Sequence, residues 1–186
     1  YLSHSQPDWN LLGVELSMGS MWRAFRRMRR EGVENVRLYH GDARFIVRDV
    51  VRPGDLHAIC VNFPDPWPRR RHRRNRLLQS DFFELVSSRL EPEGTILLTT
   101  DHEEYLEFAI SEADRTRLFE VERTTASEPA LRTKYALKWK KQDRPIFQAL
   151  FHKAGETGAQ PPKIERIEMQ HAVLDGKLDS VGIFDK

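Results

Sequence analysis

The chain has 186 residues and 39% hydrophobic content, which suits one domain with a real core and excludes a disordered chain. No stretch approaches the ~18 apolar residues of a membrane span. Net charge is only +2, but arginines concentrate at 23–30 and 69–76, and that clustering implies a polyanionic partner.

The single cysteine, Cys60, excludes an internal disulfide framework and fits a reducing cytoplasm. It lies in an apolar strand and is expected to be a buried thiol. The seven histidines are scattered without metal-ligand spacing, so no structural zinc and no obligatory metal are expected. There is no G-x-S-x-G and no phosphate-binding P-loop.

Asn10–Glu15 reads as a short buried strand ending in an acid. Ser17 or Ser20 can cap the helix that follows. Its apolar residues Met18, Met21, Trp22, Phe25 and Met28 fall at helical spacing, with arginines opposite. Gly32 suits the left-handed position after its end. Val36–Tyr39 is a second strand leading into His40-Gly41-Asp42-Ala43, followed by a short helix over Ala43–Val50. Pro53-Gly54-Asp55 is a turn. His57–Phe63 is a third strand. Asp81–Leu90 is an amphipathic helix with Ser80 as its cap, and Pro92-Glu93-Gly94 turns the chain. Thr95–Thr100 is a fourth strand ending at Asp101, and Glu103–Ser111 is helical. Phe119–Arg123 and Ile146–His152 are strands with no long helix between them, so they should pair antiparallel at one edge.

Strands alternating with helices predict an α/β fold with a doubly wound, mainly parallel sheet. Residues 1–154 form the expected domain, 155–163 a linker, and 164–186 a small C-terminal extension.

The most telling segment is V-N-F-P-D-P-W-P-R-R-R-H-R-R-N-R, residues 61–76. Asp65 stands between two prolines, which stiffen the turn by fixing φ. Trp67 adds a flat apolar face, either core packing or a platform for a base. Arg69, Arg70, Arg71, Arg73, Arg74 and Arg76 supply a charge that a polyanion would match. Pro-Asp-Pro alone is an ordinary turn, and an arginine run alone is an ordinary solvated face. Their coincidence at a strand end, where open α/β sheets bind ligands, suggests an enzyme acting on a base within a nucleic acid.

Acids also stand at or just after successive strand ends: Glu15, Asp42, Asp65 and Asp101. In a doubly wound sheet those ends converge on one crevice. Any one of them can equally be a helix cap. Glu15 has the placement of an acid that accepts ribose hydroxyls, and Asp42 would sit near an adenine edge.

These residues resemble the bacterial tRNA (guanine-N7-)-methyltransferases. The matching pieces are L-G-V-E at 12–15, H-G-D-A at 40–43, V-N-F-P-D-P-W-P at 61–68, T-T-D-H-E-E-Y at 99–105 and R-T-K-Y at 132–135. They occur in the family's order over residues 9–152. The resemblance implies a Rossmann-like, class I fold, S-adenosyl-L-methionine as cofactor, and methyl transfer to N7 of a guanine in the tRNA variable loop, conventionally position 46. It places Glu15, Asp42 and Asp65 at the cofactor, with Asp65 also catalytic. Arg69, Asp101, Thr133, Lys134 and Tyr135 would contact substrate. Arg70, Arg71, Arg73 and Arg74 would bind tRNA phosphates, with Arg23, Arg26 and Arg30 as a second patch.

Three departures stand out. Arg69 and Arg70 replace the family's usual lysines, keeping charge but offering a planar fork. Ala136 stands where the family has an acid. The first strand and its glycine loop are absent from the chain, which begins at Tyr1, so an upstream segment of strand, loop and helix is expected. Without it the sheet would flank an empty slot of unpaired backbone groups. Three rivals stay open: a non-catalytic RNA-binding module that keeps the methyltransferase fold, a methyltransferase for small molecules or proteins, and a nicotinamide dehydrogenase.

Overall fold

The described strands make two four-stranded sheets. The computed structural model describes residues 1–124, 133–155, 172–174 and 181–183. It divides into two compact units, Tyr1–Val50 with Ile164–Lys186, and Val51–Lys163.

In the first unit, Leu11–Glu15 (β1) pairs in parallel with Val36–His40 (β2), and Glu15 is the register partner of His40. The crossover between them is Met18–Glu31 (α2), after the short Leu2–Ser5 helix (α1). Ser17 caps α2 by accepting from the Ser20 amide at 3.3 Å. Gly32 ends it at φ 63°, a conformation that glycine adopts without a Cβ penalty. Met21, Met28 and Leu38 form the core, with Phe25, Val33 and Val36 packed against it. Met18 and Trp22, expected on the apolar face, are instead exposed at 46% each, because the buried stripe is narrower than the spacing suggested. Ala43–Asp49 (α3) follows β2.

The extension, for which the sequence offered no structure, contributes Ala172–Leu174 (β7), antiparallel to β2, and Val181–Ile183 (β8), antiparallel to β7. The linker expected at 155–163 lies, beyond Gly155, outside the described residues.

In the second unit, Leu56–Asn62 (β3) runs parallel to Leu90–Thr100 (β4). Phe119–Thr124 (β5) and Phe147–Lys153 (β6) pair antiparallel, as expected, and β6 is inserted between β4 and β5. Ser80–Ser87 (α4) and Glu103–Thr116 (α5) pack beside the sheet, and Lys134–Lys141 (α6) precedes β6. Phe83 is fully buried against Phe119 and Phe151, at centroid distances of 5.4 and 5.2 Å. The buried pair Thr99 and Gln148 satisfies itself across β4 and β6 with a 2.7 Å hydrogen bond.

Four expectations need correction. Ser80 does not cap α4 but is its first residue. The Glu112 carboxylate of α5 accepts from both the Ser80 amide (3.0 Å) and its hydroxyl (2.7 Å), doing the cap's work from a neighbouring helix. Pro92-Glu93-Gly94 does not separate α4 from the fourth strand. It lies within β4, where the register with β3 shifts and Glu93 takes φ 66°, so the breaker residues make an irregularity in a longer strand. Helix α5 runs on to Thr116 rather than ending at Ser111, its apolar face continuing through buried Ala113. Cys60 is exposed rather than buried, because it points to the opposite face of β3 from buried Val61.

Candidate active site

Strand β3 delivers the Phe63-Pro64-Asp65-Pro66-Trp67 turn. The Phe63 amide donates to the Thr99 carbonyl at 2.7 Å, extending the β3–β4 ladder by one bond before the prolines end it. Phe63 then takes φ 50° and Trp67 φ 41°. Left-handed backbone at a bulky residue costs on the order of 1–2 kcal/mol, so this turn stores strain on both sides of Asp65, a pattern that accompanies functional sites. Asp65 itself is exposed, and no described residue engages its carboxylate. Trp67 is half-buried and packs edge-on against His72 at 5.8 Å.

The arginine segment has a structure that its composition does not reveal. Arg70–Asn75 is a 3-10 helix with no buried residue. The Gln79 side chain fastens its end by donating to the carbonyls of Arg74 (3.0 Å) and Arg76 (2.7 Å). Arg69, Arg70 and Arg74 extend from it without a side-chain partner among the described residues. Arg71 donates to His72 at 3.2 Å. Arg73 pairs with Glu104 of α5 at 2.7 Å.

Arg76 departs from its neighbours altogether. It is 0% exposed and therefore no part of a solvent-facing cluster. Its Nε donates to the Pro66 carbonyl at 2.9 Å and its Nη2 to the Trp67 carbonyl at 3.4 Å. Both terminal nitrogens bond the Glu104 carboxylate, and the guanidinium lies 4.5 Å above the Phe108 ring. The hydrogen bond from Arg76, followed by the charges of Arg76 and Arg73, holds the Glu104 carboxyl below its ordinary value near 4.5. Buried arginine needs this full set of partners, since an unpaired internal charge costs several kcal/mol.

Of the other expected residues of this unit, Tyr135 stands beside the same turn. Thr133 caps α6, accepting from the Ala136 amide at 3.2 Å. Tyr135 is exposed, with its ring 5.9 Å from that of Phe63. The Lys134 side chain and Arg132 lie outside the described residues. Ala136 is 1% exposed, so the position where an acid was expected faces inward here. Asp101, at the end of β4, lies 3.8 Å from Arg144, whose guanidinium stacks on Trp139 at 4.3 Å. Sequence reading counted Arg76 with the polyanion-facing arginines, which its burial contradicts, and missed Glu104, Trp139 and Arg144. Nothing in a run of arginines marks the one that is buried.

Glu15 and Asp42 belong to the first unit, at the C-terminal ends of neighbouring parallel strands. Glu15 is half-buried and accepts from the Ser17 amide at 2.8 Å through Oε1. Asp42 is the N-cap of α3, accepting from the Arg44 amide at 2.8 Å and pairing with its guanidinium at 3.1 Å. Gly41 precedes it, and an added Cβ would stand 2.7 Å from the Tyr39 ring, so the loop has no room for a side chain. Among the described residues no group of acids, histidines or cysteines is arranged to hold a metal ion, and no helix is long and apolar enough to cross a membrane.

Residues 1–149 match the family model described as "Putative methyltransferase". The chain is 52% identical over 177 residues to a protein named tRNA (guanine-N(7)-)-methyltransferase from Thermus thermophilus, an alignment that covers 95% of this chain and 57% of that protein. It is 42% identical over 183 residues to one of the same name from Deinococcus radiodurans, with the same coverage. The chain thus spans less than two thirds of the length of these curated relatives. Among solved structures it resembles a methyltransferase from Pyrococcus furiosus, with TM-score 0.57, 15% identity, and coverage of 83% of this chain and 68% of that one. A precorrin-6y C5,15-methyltransferase from Geobacter metallireducens gives TM-score 0.56 at 16% identity, covering 82% and 71%. At such identities the likeness concerns the fold, which is the Rossmann-like methyltransferase fold.

Proposed function

Since the chain belongs to the methyltransferase family that its residues 1–149 match, we propose that it transfers a methyl group from S-adenosyl-L-methionine to N7 of a guanine in the variable loop of tRNA, at position 46. The observation that carries this reading is the strained turn bearing an exposed Asp65, followed at once by a solvent-facing arginine helix. The relatives' names support the same substrate.

The first unit has a donor set that fits the cofactor. Glu15 keeps one carboxylate oxygen unengaged by any described residue, which suits a ribose hydroxyl. Asp42, at the neighbouring strand end, retains acceptor capacity for an adenine amine. The cofactor supplies an electrophilic methyl group.

Guanine N7 is a neutral lone-pair nucleophile on the base's major-groove edge, so no strong general base is required. The protein must instead align the base and stabilise the positive charge that develops on it. Alignment is worth up to roughly 7–11 kcal/mol in ideal cases. Asp65, an anion on a stiffened turn, meets the second need electrostatically and also reads the base edge. Asp101 orients the base, and Trp67 and Tyr135 offer aromatic faces to a base removed from its stack. Arg69, Arg70, Arg71 and Arg74 bind phosphates, and Arg73 joins them while shared with Glu104. Thr133 and Lys134 contact the substrate at the start of α6.

The test is incubation of the full-length protein with unmodified tRNA and methyl-labelled S-adenosyl-L-methionine, followed by nucleoside digestion. Label in 7-methylguanosine from the variable loop is the expected result. Bound tRNA without transfer would favour the RNA-binding module instead.

A further inference from the structure

Resting on that reading, we infer that Arg76 and Glu104 form a positioning pair, which holds the Asp65 turn in its working shape and takes no part in binding tRNA. Arg76 is the one arginine of the 69–76 segment with 0% exposure, so no phosphate can reach its guanidinium. Its donors are spent elsewhere, on the carbonyls of the two residues that follow Asp65 and on both oxygens of Glu104. Phe108 closes one face, and Tyr105 lies 5.4 Å away.

The location of these bonds matters more than their number. Phe63 and Trp67 are both held at positive φ, a conformation that relaxes unless surrounding contacts over-determine it. Pro66 donates no hydrogen bond, and no described residue bonds the Asp65 carboxylate, so beyond the proline rings and the Phe63–Thr99 bond the turn depends on outside contacts. The guanidinium fork grips the Pro66 and Trp67 carbonyls and ties them to Glu104, in the first turn of α5. That helix starts two residues after Asp101. This pair, buried on its Arg76 side, therefore sets the spacing of the two carboxylates assigned to the base, Asp65 and Asp101. A second bond supports the same joint: the Leu78 amide donates to the Tyr105 hydroxyl at 3.3 Å.

Arginine is required because lysine has one nitrogen and cannot bond two carbonyls and a bidentate carboxylate together. The experiment compares Arg76→Lys and Glu104→Gln with the unmodified full-length protein. It measures kcat, KM for tRNA, the salt dependence of tRNA binding, and hydrogen exchange of the peptide spanning residues 63–79. In both variants kcat should fall by about 10²-fold, the scale of a small misplacement of reacting groups. In Arg76→Lys, KM for tRNA and the salt slope should stay at their starting values, and exchange across 63–79 should quicken in both variants. Arg70→Ala is the contrast, weakening tRNA binding without changing that exchange. An altered salt slope in Arg76→Lys, or normal kcat and exchange in both variants, would overturn the inference. If the unmodified protein transfers no methyl group, the functional reading fails. Exchange alone then decides, with faster exchange supporting the joint and unchanged exchange refuting it.

Discussion

Asp65 is exposed and takes no part in holding the fold, so its loss should appear in chemistry and not in stability. Asp65→Ala is expected to lower turnover by about 10²–10³-fold, the usual cost of removing one preorganised electrostatic group. Its melting temperature and tRNA affinity should remain close to those of the parent, and near-normal turnover would remove the residue from the mechanism. The arginines must be treated one by one. Arg69, Arg70 and Arg74 have no side-chain partner among the described residues, and replacing all three with alanine should reduce the slope of log K against log salt by about 2–3. An unchanged slope in a filter-binding titration would mean that this helix faces away from the nucleic acid.

At the scale of elements, the 3-10 helix Arg70–Asn75 and α5 are joined through Glu104, which receives both Arg73 and Arg76. Because Arg76 lowers the folded-state pKa of Glu104 below its ordinary value near 4.5, the pair's stabilisation is fully present above that value. It is lost as pH falls through the lower, folded value. Glu104→Gln should therefore lose stability at neutral pH and show a weaker acid-side decline, readable from melting curves between pH 7 and pH 3; a decline as steep as in the parent would contradict this. Elements were legible in the sequence where local chemistry specified them. Ser17 and Gly32 bound α2, and the apolar runs of β3, β4 and β6 are plain. The end of α4, the start of β4 and the cap supplied by Glu112 were not, because each depends on a neighbour distant in the chain.

For the whole molecule, the second unit stands on the Phe83, Phe119 and Phe151 cluster, which joins α4 to the two antiparallel strands. Phe83→Ala should cost about 3–5 kcal/mol, and a denaturant midpoint close to the parent's would show that the cluster collapses to fill the space. The alternation of strand and helix, the strand-end acids and the proline-locked turn could all be read without coordinates, since each is written in neighbouring residues. So could the charge of the segment after that turn. The separate fates of its arginines could not. Arg76 is buried because a carboxylate 28 residues away and the ring of Phe108 fold over it, whereas Arg70 and Arg74, identical in chemistry, are exposed and have no side-chain partner among the described residues. A pattern in the chain specifies which groups are available, and only contacts between distant segments, which repay or fail to repay desolvation, sort those that bind a partner from those that hold the site.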